Sequence, residues 1–540
     1  MYWLDALPDR SVGQALIGAT ARFGDRETYT FPARRLSLNE IDRQSDRVAK
    51  ALLGLGIRRG DRVAVWMANH YEWTFIYFGL LKIGAVLVPL NSRFKPNELE
   101  FCLKNSGVKT LIFKREVTDS GKDYGVLLRE FISELDSFSE HSSTEQFPQL
   151  RTIVDLAAEP MAGAIGFDRF LNYGEVISDE ALESAEKDVG PGDEAIIQYT
   201  SGTTSFPKGA RLSHAGILRG GRETIAWMQI ADTDTFFSVQ PFYHCGGSVT
   251  TMLAPIVSGC RVVTQTYYEC GAALAMMEDE RATVMVGHQP HFIEYMNHPT
   301  FAQRRFALER MLVIAPPEVF WMVRDKFGLD GLVSGYGMTE THMFGTATSL
   351  LTDSMETRFN TNGSPNAGVK VEIRDPDDNV LAQGQEGEIF MRVPYPMLGY
   401  LNEPHLTRDV LDADGWYRTG DKGVLGPDGN LKLLGRVRDM IRVGGENLSG
   451  AEVEACLLSH PAVKQAAVVA APDKRLGEVV AGFVELKTGE VASAAELIAH
   501  CKVNLASFKV PREINFVSKW PMSGSGKIQK RLLQADAVRL

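Results

Sequence analysis

Tyr199-Thr200-Ser201-Gly202-Thr203-Thr204-Ser205-Phe206-Pro207-Lys208-Gly209 crowds hydroxyl side chains around glycine and ends in a lysine. Ala195-Ile196-Ile197-Gln198-Tyr199, just before the loop proper, reads as a short buried strand, and the run from His214 to Met228 reads as a helix. The loop therefore joins a strand to a helix. Small residues let the backbone approach a ligand, backbone N–H groups and hydroxyls donate to phosphate oxygens, and Lys208 adds charge. The plain alternative is a polar surface loop, but such loops seldom carry this density of glycine and hydroxyl residues. The spacing from glycine to lysine differs from that of a Walker A loop, which disfavours an ATPase of that kind.

Outward from the loop the chain alternates helix and strand patterns. Upstream, helical periodicity over Leu38–Leu55, His70–Ile83 and Pro96–Asn105 is interleaved with strand candidates Arg62–Met67, Ala85–Val88 and Lys109–Phe113. Strands separated by helices imply parallel βαβ units. Residues 116–190 are more polar and less periodic, and predict surface elements with little chemistry. Downstream, strands are predicted at Phe236–Val239, Arg261–Thr264, Val284–Val286 and Leu332–Ser334. Two of these run into Pro241-Phe242-Tyr243-His244-Cys245-Gly246-Gly247 and Gly335-Tyr336-Gly337-Met338-Thr339-Glu340, at the strand ends where open α/β sheets place ligands.

From about 360 to 435 the pattern changes to short strands and turns, exemplified by Val369–Arg374 and Gly387–Val393, which reads as an all-β subdomain. After Arg436 comes an α+β unit, with helices Ala451–Ser459 and Ala494–Leu505 and strands Val463–Ala470 and Glu478–Leu486. The fold class is thus α/β: a large N-terminal domain of layered α/β subdomains with a small β subdomain (1–436), then a small mobile α+β domain (437–540).

At 540 residues the chain exceeds one compact core. Its net charge of -11 argues against a nucleic-acid partner. The cysteines Cys102, Cys245, Cys260, Cys270, Cys456 and Cys501 form no C-x-x-C pair, which favours reduced thiols and a cytoplasmic protein. Met1 to Arg10 lacks the apolar core of a secretory signal. The longest apolar run, Trp73 to Leu90, is broken by Lys82 and reads as helix then strand, so no integral membrane segment is expected.

The loop and four further stretches, in order along the chain, resemble the adenylate-forming superfamily. That superfamily includes acyl- and aryl-CoA synthetases, peptide-synthetase adenylation domains and luciferase. The four are Tyr336-Gly337-Met338-Thr339-Glu340, Trp416-Tyr417-Arg418-Thr419-Gly420-Asp421, the segment from Gly435-Arg436 through Arg438 to Gly444-Gly445-Glu446, and Ser523-Gly524-Ser525-Gly526-Lys527. Ser205 stands where glycine is most usual and Arg438 where aspartate or lysine is, so the chain departs from the pattern at two positions.

The resemblance implies that Thr200, Ser201, Gly202, Thr203, Thr204 and Lys208 cradle the phosphates of ATP, with Thr200 also catalytic. It places Tyr336, Gly337 and Met338 against the nucleotide, Tyr336 on the adenine. Thr339 falls on the α-phosphate, and Glu340 on a magnesium ion as a hard oxygen ligand. Asp421 takes the ribose hydroxyls and Arg436 contacts the nucleotide. Arg438 is the hinge, and Gly444, Gly445 and Glu446 enter the site for the coenzyme A step. Lys527 is the mobile lysine that bridges the attacking carboxylate and the α-phosphate; Lys530 shares its surroundings but not its motif position.

His244 follows the Phe242-Tyr243 pattern of acyl-CoA synthetases and is expected beside the acid's carboxylate, the alternative being a packed strand-end histidine. His288 and His291 form an H-x-x-H pair interrupted by Pro290; with no third ligand evident, zinc is disfavoured, and the pair is expected to line the acid pocket. Ala315-Pro316-Pro317 replaces the usual small residues of a pocket-lining segment.

The resulting expectation is an AMP-forming acid–thiol ligase that uses Mg2+, ATP and coenzyme A, acting on a bulky apolar acid of cyclic, aryl or medium-chain type. Transfer to a carrier-protein pantetheine or to oxygen is the alternative within enzymes, and a non-catalytic nucleotide-binding scaffold the alternative outside them. A homodimer is compatible with the sequence.

Overall fold

Val63 and Val65 face one hydrophobic core from the strand Arg62–Trp66, while Ala64 and Trp66 face another. Burial on both sides is the signature of a parallel strand covered by helices on each face. The computed structural model describes residues 10–116, 123–132, 134–138, 144–200, 207–437, 440–443, 446–473, 476–505, 509–522 and 528–537.

Arg62–Trp66 is the middle of a seven-stranded sheet. In spatial order this sheet runs Ile165–Gly166, Thr152–Asp155, Thr110–Phe113, Arg62–Trp66, Val86–Pro89, Glu194–Thr200 and Lys208–Ser213. A second seven-stranded sheet runs Leu332–Val333, Arg310–Ile314, Val284–His288, Thr235–Ser238, Arg261–Val263, Glu27–Phe31 and Arg34–Ser37. Each is parallel except for its last strand, which folds back antiparallel as a hairpin. Between the sheets lie the helices Val12–Phe23, Leu38–Gly54, Glu72–Lys82 and His214–Trp227, whose buried side chains join strands of both sheets in one core. Further helices cover the outer faces, among them Pro96–Ser106 on the first sheet and Pro317–Phe327 on the second.

Glu72–Lys82 is buried on every side, which explains its apolar sequence without a membrane. Among the described residues no helix is long and apolar enough to cross one. Lys82 is 1% exposed, yet its ammonium reaches Asp42 at 2.5 Å, Asp46, and Glu186 at 3.9 Å. Burial raises the Glu186 carboxyl to about 6, against the pull of Lys82 and with the push of Asp46 and Asp42.

The predicted all-β region is a four-stranded antiparallel meander of Lys370–Arg374, Glu386–Arg392, Trp416–Leu425 and Leu431–Arg436. The C-terminal unit has its own sheet, in which Gly477–Leu486 and Val463–Asp473 pair along their length and Glu513–Phe516 adds in parallel. Its core is built from its own residues, including Ile441, Val453, Leu457, Val468, Val484 and Leu497.

Two expectations need correction. The phosphate loop does not pass straight from strand to helix: Lys208–Ser213 pairs antiparallel with Glu194–Thr200 before the helix begins at His214. Its mixed Lys-Gly-Ala-Arg-Leu-Ser composition hides a strand whose partner supplies the register. Nor is 116–190 all surface, because Thr152–Asp155 is a fully buried strand of the first sheet. The polar stretches flanking it masked a four-residue apolar pattern.

Candidate active site

Thr200 ends its strand directly opposite Lys208, so the root of the phosphate loop is closed by backbone pairing. Ser201, Gly202, Thr203 and Thr204 lie outside the described residues, as do Arg438, Gly444, Gly445 and Lys527. Glu446 begins the strand Glu446–Ser449, antiparallel to Met440–Val443. Lys208 carries its ammonium 5.4 Å from the centre of the Tyr400 ring. The Tyr400 phenol donates to Glu340 Oε1 at 2.7 Å and lies 3.2 Å from the Tyr417 hydroxyl. Burial, then the Glu340 charge, pushes the Tyr400 phenol well up, so it stays a donor.

Glu340 sits in a short turn, Thr339–Thr341, reached through the strand Gly335–Met338. That strand approaches its neighbour so closely that a Cβ at Gly337 would fall 1.9 Å from the Met343 carbonyl oxygen. Glycine is required there by space. Tyr336, from the same strand, donates to Asp421 Oδ2 at 2.6 Å. Arg436 Nε meets the other oxygen, Asp421 Oδ1, at 2.8 Å, and Arg436 Nη1 donates to the Thr419 carbonyl at 3.2 Å. Asp421 is only 6% exposed, so its carboxylate is held in a fixed orientation by a phenol and a guanidinium.

Thr339 donates to Cys245 Sγ at 3.3 Å, joining this turn to the end of the strand Thr235–Ser238. His244 stands next to Cys245, its Nδ1 3.6 Å from the sulfur and accepting from the Gly246 N–H at 3.4 Å. Burial raises the Cys245 thiol, but His244 and the hydrogen bonds from His244 and Thr339 outweigh it, leaving the thiol below its ordinary range. Gln198 donates to the Tyr243 carbonyl at 2.6 Å and fixes the strand end against the first sheet. The sites of Thr200, Lys208, His244, Tyr336, Thr339, Glu340, Asp421 and Arg436 are therefore brought together, each at a strand end or in the meander beside it.

His288 and His291 begin a helix. The His291 Nδ1 accepts from the His288 N–H at 3.3 Å, capping the helix Gln289–Asn297, and burial with the Arg93 charge lowers His291 to about 4. His288 Nε2 lies 3.2 Å from Gln240 Oε1. Pro316-Pro317 also has a local cause: it opens the helix Pro317–Phe327, where a residue without an N–H loses no hydrogen bond. Lys530 pairs with Glu454 at 2.7 Å within the C-terminal unit. Tyr400, Tyr417, Cys245 and Gln198 were given no role by sequence reasoning. Tyr417 and Cys245 lie within quoted motifs, but the contacts that tie these four into the site reach across 17 to 94 residues.

One carboxylate close to a phosphate loop is a donor set that suits Mg2+, which binds through one or two carboxylates with substrate phosphates and water completing its shell. Glu340 fits that requirement.

A family model described as AMP-binding enzyme matches residues 18–401, and one described as AMP-binding enzyme C-terminal domain matches residues 452–527. The medium-chain acyl-CoA ligase ACSF2, mitochondrial, of Mus musculus is 32% identical over 97% of this chain and 87% of its own. The crystal structure of the anthranilate CoA ligase AuaEII in complex with anthranoyl-AMP superposes with a TM-score of 0.87 at 23% identity, covering 98% of this chain and 97% of that one. A benzoate CoA ligase from Burkholderia xenovorans LB400 gives 0.81 at 23% identity, over 97% and 99%. These two structures share the fold, with its large α/β domain and small C-terminal domain. The chain belongs to the AMP-binding enzymes, the adenylate-forming superfamily, and has acyl-CoA ligases among the relatives that match it along nearly its whole length.

Proposed function

We propose that the protein joins a carboxylic acid to coenzyme A in two steps at one site. A carboxylate oxygen attacks the α-phosphorus of MgATP, the bond to the bridging oxygen of the β-phosphate breaks, and pyrophosphate leaves. The acyl-adenylate is then attacked at its acyl carbon by the thiol of coenzyme A. The carbon–oxygen bond to phosphate breaks, AMP leaves with the electron pair, and the thiol proton passes to solvent. No enzyme nucleophile is needed, because catalysis here is positioning and charge neutralisation.

In this reading Lys208 and the loop from Thr200 hold the phosphates, Thr339 donates to the α-phosphate, and Glu340 holds magnesium. Asp421 receives the ribose hydroxyls, Tyr336 and Arg436 line the nucleotide, and His244 meets the acid's carboxylate. Lys527 serves the first step. A turn about Arg438 then exchanges it for Gly444-Gly445-Glu446. The acid has an apolar body of medium-chain, cyclic or aryl size. The observation that carries the reading is Asp421 held between Tyr336 and Arg436, in the same cluster that sets Glu340 beside Lys208 through Tyr400.

The test is mass spectrometry of products after incubation with MgATP, coenzyme A and a pooled panel of acids. An acyl-CoA product with AMP supports the reading. Adenylate or AMP without thioester transfers it to a carrier-protein or oxygen acceptor, and bound ATP without any turnover makes the protein a nucleotide-binding scaffold.

A further inference from the structure

The helix His214–Trp227, which follows the phosphate-loop hairpin, carries an arginine in an unusual state. Arg219 is 4% exposed, and its Nε, Nη1 and Nη2 have no hydrogen-bond partner among the described residues. The charged and polar groups that act on it are Glu223, Arg222, Tyr395 and His342. Glu223 is hydrogen-bonded by Arg222 at 2.7 Å and acts on Arg219 only through space. His342 is buried, and burial together with the Arg219 charge lowers it to about 3, so it is a neutral imidazole. Among the described residues no carboxylate hydrogen-bonds the guanidinium. A buried charge without a partner is strongly unfavourable and implies a partner that binds there.

The position of Arg219 connects it to the candidate site. A Cβ at Gly216 would fall 2.1 Å from His342 Nε2, and one at Gly220 would fall 1.9 Å from the His342 carbonyl oxygen. A Cβ at Gly221 would lie 3.3 Å from the Val249 carbonyl oxygen. Glycines thus press this helix against two elements at once. One is the turn that carries Thr339 and Glu340. The other is the segment Gly246–Thr251 that follows His244. Farther along the same helix, Trp227 packs edge-on to Phe344 at 5.4 Å, and Val249 is fully buried beside Gly220, so the helix is also held by apolar contacts.

We propose that the acid carries a second carboxylate at its far end and that Arg219 receives it. This rests on the acid–CoA ligase reading above and makes the substrate class an α,ω-dicarboxylic acid. The planar guanidinium fork matches a carboxylate in two parallel hydrogen bonds, which a neutral chain end cannot make. Arg219 acts as a specificity determinant and takes no part in the bond-breaking steps.

The test compares α,ω-dicarboxylic acids, succinate through sebacate, with monocarboxylic acids of the same length, reading kcat/KM for acyl-CoA formation. The wild type is expected to favour one dicarboxylic acid over its monocarboxylic counterpart by roughly 10-fold or more. Arg219→Met should reverse that order, and Arg219→Lys should keep part of it, with ATP binding reporting that both variants are folded. A wild type that uses the monocarboxylic acid as well as the dicarboxylic one, or an Arg219→Met ratio equal to that of the wild type, overturns the proposal. If no acid of either series gives a thioester, the ligase reading fails separately. The melting-temperature shifts of the AMP-loaded protein with the two acids then decide Arg219 by the same criterion.

Discussion

The phenol of Tyr336 and the carboxylate of Asp421, 85 residues apart in sequence, meet at 2.6 Å, and Arg436 holds the other carboxylate oxygen. A carboxylate oriented from both sides presents its remaining lone pairs in a fixed direction, as recognition of a diol requires. Asp421→Asn removes the charge and one acceptor. It is expected to raise KM for MgATP about 10-fold or more, with a smaller change in kcat. Tyr336→Phe should do the same more weakly. Steady-state rates at varied MgATP check both, and an unchanged KM in Asp421→Asn would remove it from the nucleotide site.

Glu340→Gln keeps the shape of the Tyr400 acceptor and deletes the charge offered to magnesium. Turnover should fall on the order of 100-fold, and the Mg2+ concentration for half-maximal rate should rise. Tyr400→Phe, which frees the carboxylate from its donor, should move the Mg2+ dependence far less. Magnesium titrations of pyrophosphate release distinguish the two. Equal Mg2+ dependence in Glu340→Gln and wild type contradicts the assignment.

Lys527→Ala should abolish adenylate formation and leave thioester formation from added acyl-adenylate largely intact. Lys530→Ala should spare both half-reactions, because Lys530 is paired with Glu454, whose carboxylate also accepts the Val468 N–H at 2.7 Å. Its loss should cost about 1 kcal/mol or less, since the pair is partly exposed. Separate assays of the two half-reactions give the answer, and equal failure of both in Lys527→Ala removes the mobile-lysine role.

Lys82 neutralises carboxylates that have few other partners. Lys82→Met should destabilise the protein by about 3 kcal/mol or less, because three half-buried carboxylates, of Asp42, Asp46 and Glu186, lose their cation. Glu186→Gln should act in the opposite direction. Its carboxyl has a folded value of about 6 against an ordinary 4.5, so the native state holds a proton that the unfolded chain has lost. Stability therefore falls as pH rises from about 4.5 through 6. Glu186→Gln should flatten that slope, stabilising at pH 7 and converging with wild type below pH 4.5. Denaturant melts across this pH range test the sign.

Strands buried on both faces were legible because their composition alone marks them. Arg62–Trp66 and Val86–Pro89 need no partner to be recognised. Lys208–Ser213 was not legible, since its strand character comes from pairing with Glu194–Thr200. The same division holds in the candidate site. Glu340, Asp421 and Lys208 stand in dense local motifs, whereas Tyr400 has none, and its importance lies in contacts made across the fold. Pro316-Pro317 and the His288–His291 pair stood out in the sequence as pocket features, and each also starts a helix. Arg219 was passed over because an arginine on a helix is ordinarily a solvated charge, and only burial makes it exceptional.

Tyr400 faces Lys208 with its ring and Glu340 with its hydroxyl. One rigid side chain thus touches both the lysine proposed to meet phosphate and the carboxylate proposed to hold magnesium. Any shift of the ring that suits one ligand alters the setting of the other. On the proposed assignments, binding of the nucleotide and of the divalent ion cannot be independent events. Whatever factor the nucleotide gains from the ion, the ion must gain from the nucleotide. A thermodynamic cycle of the two ligands, run in wild type and in Tyr400→Phe, would measure how much of that reciprocity passes through a single ring.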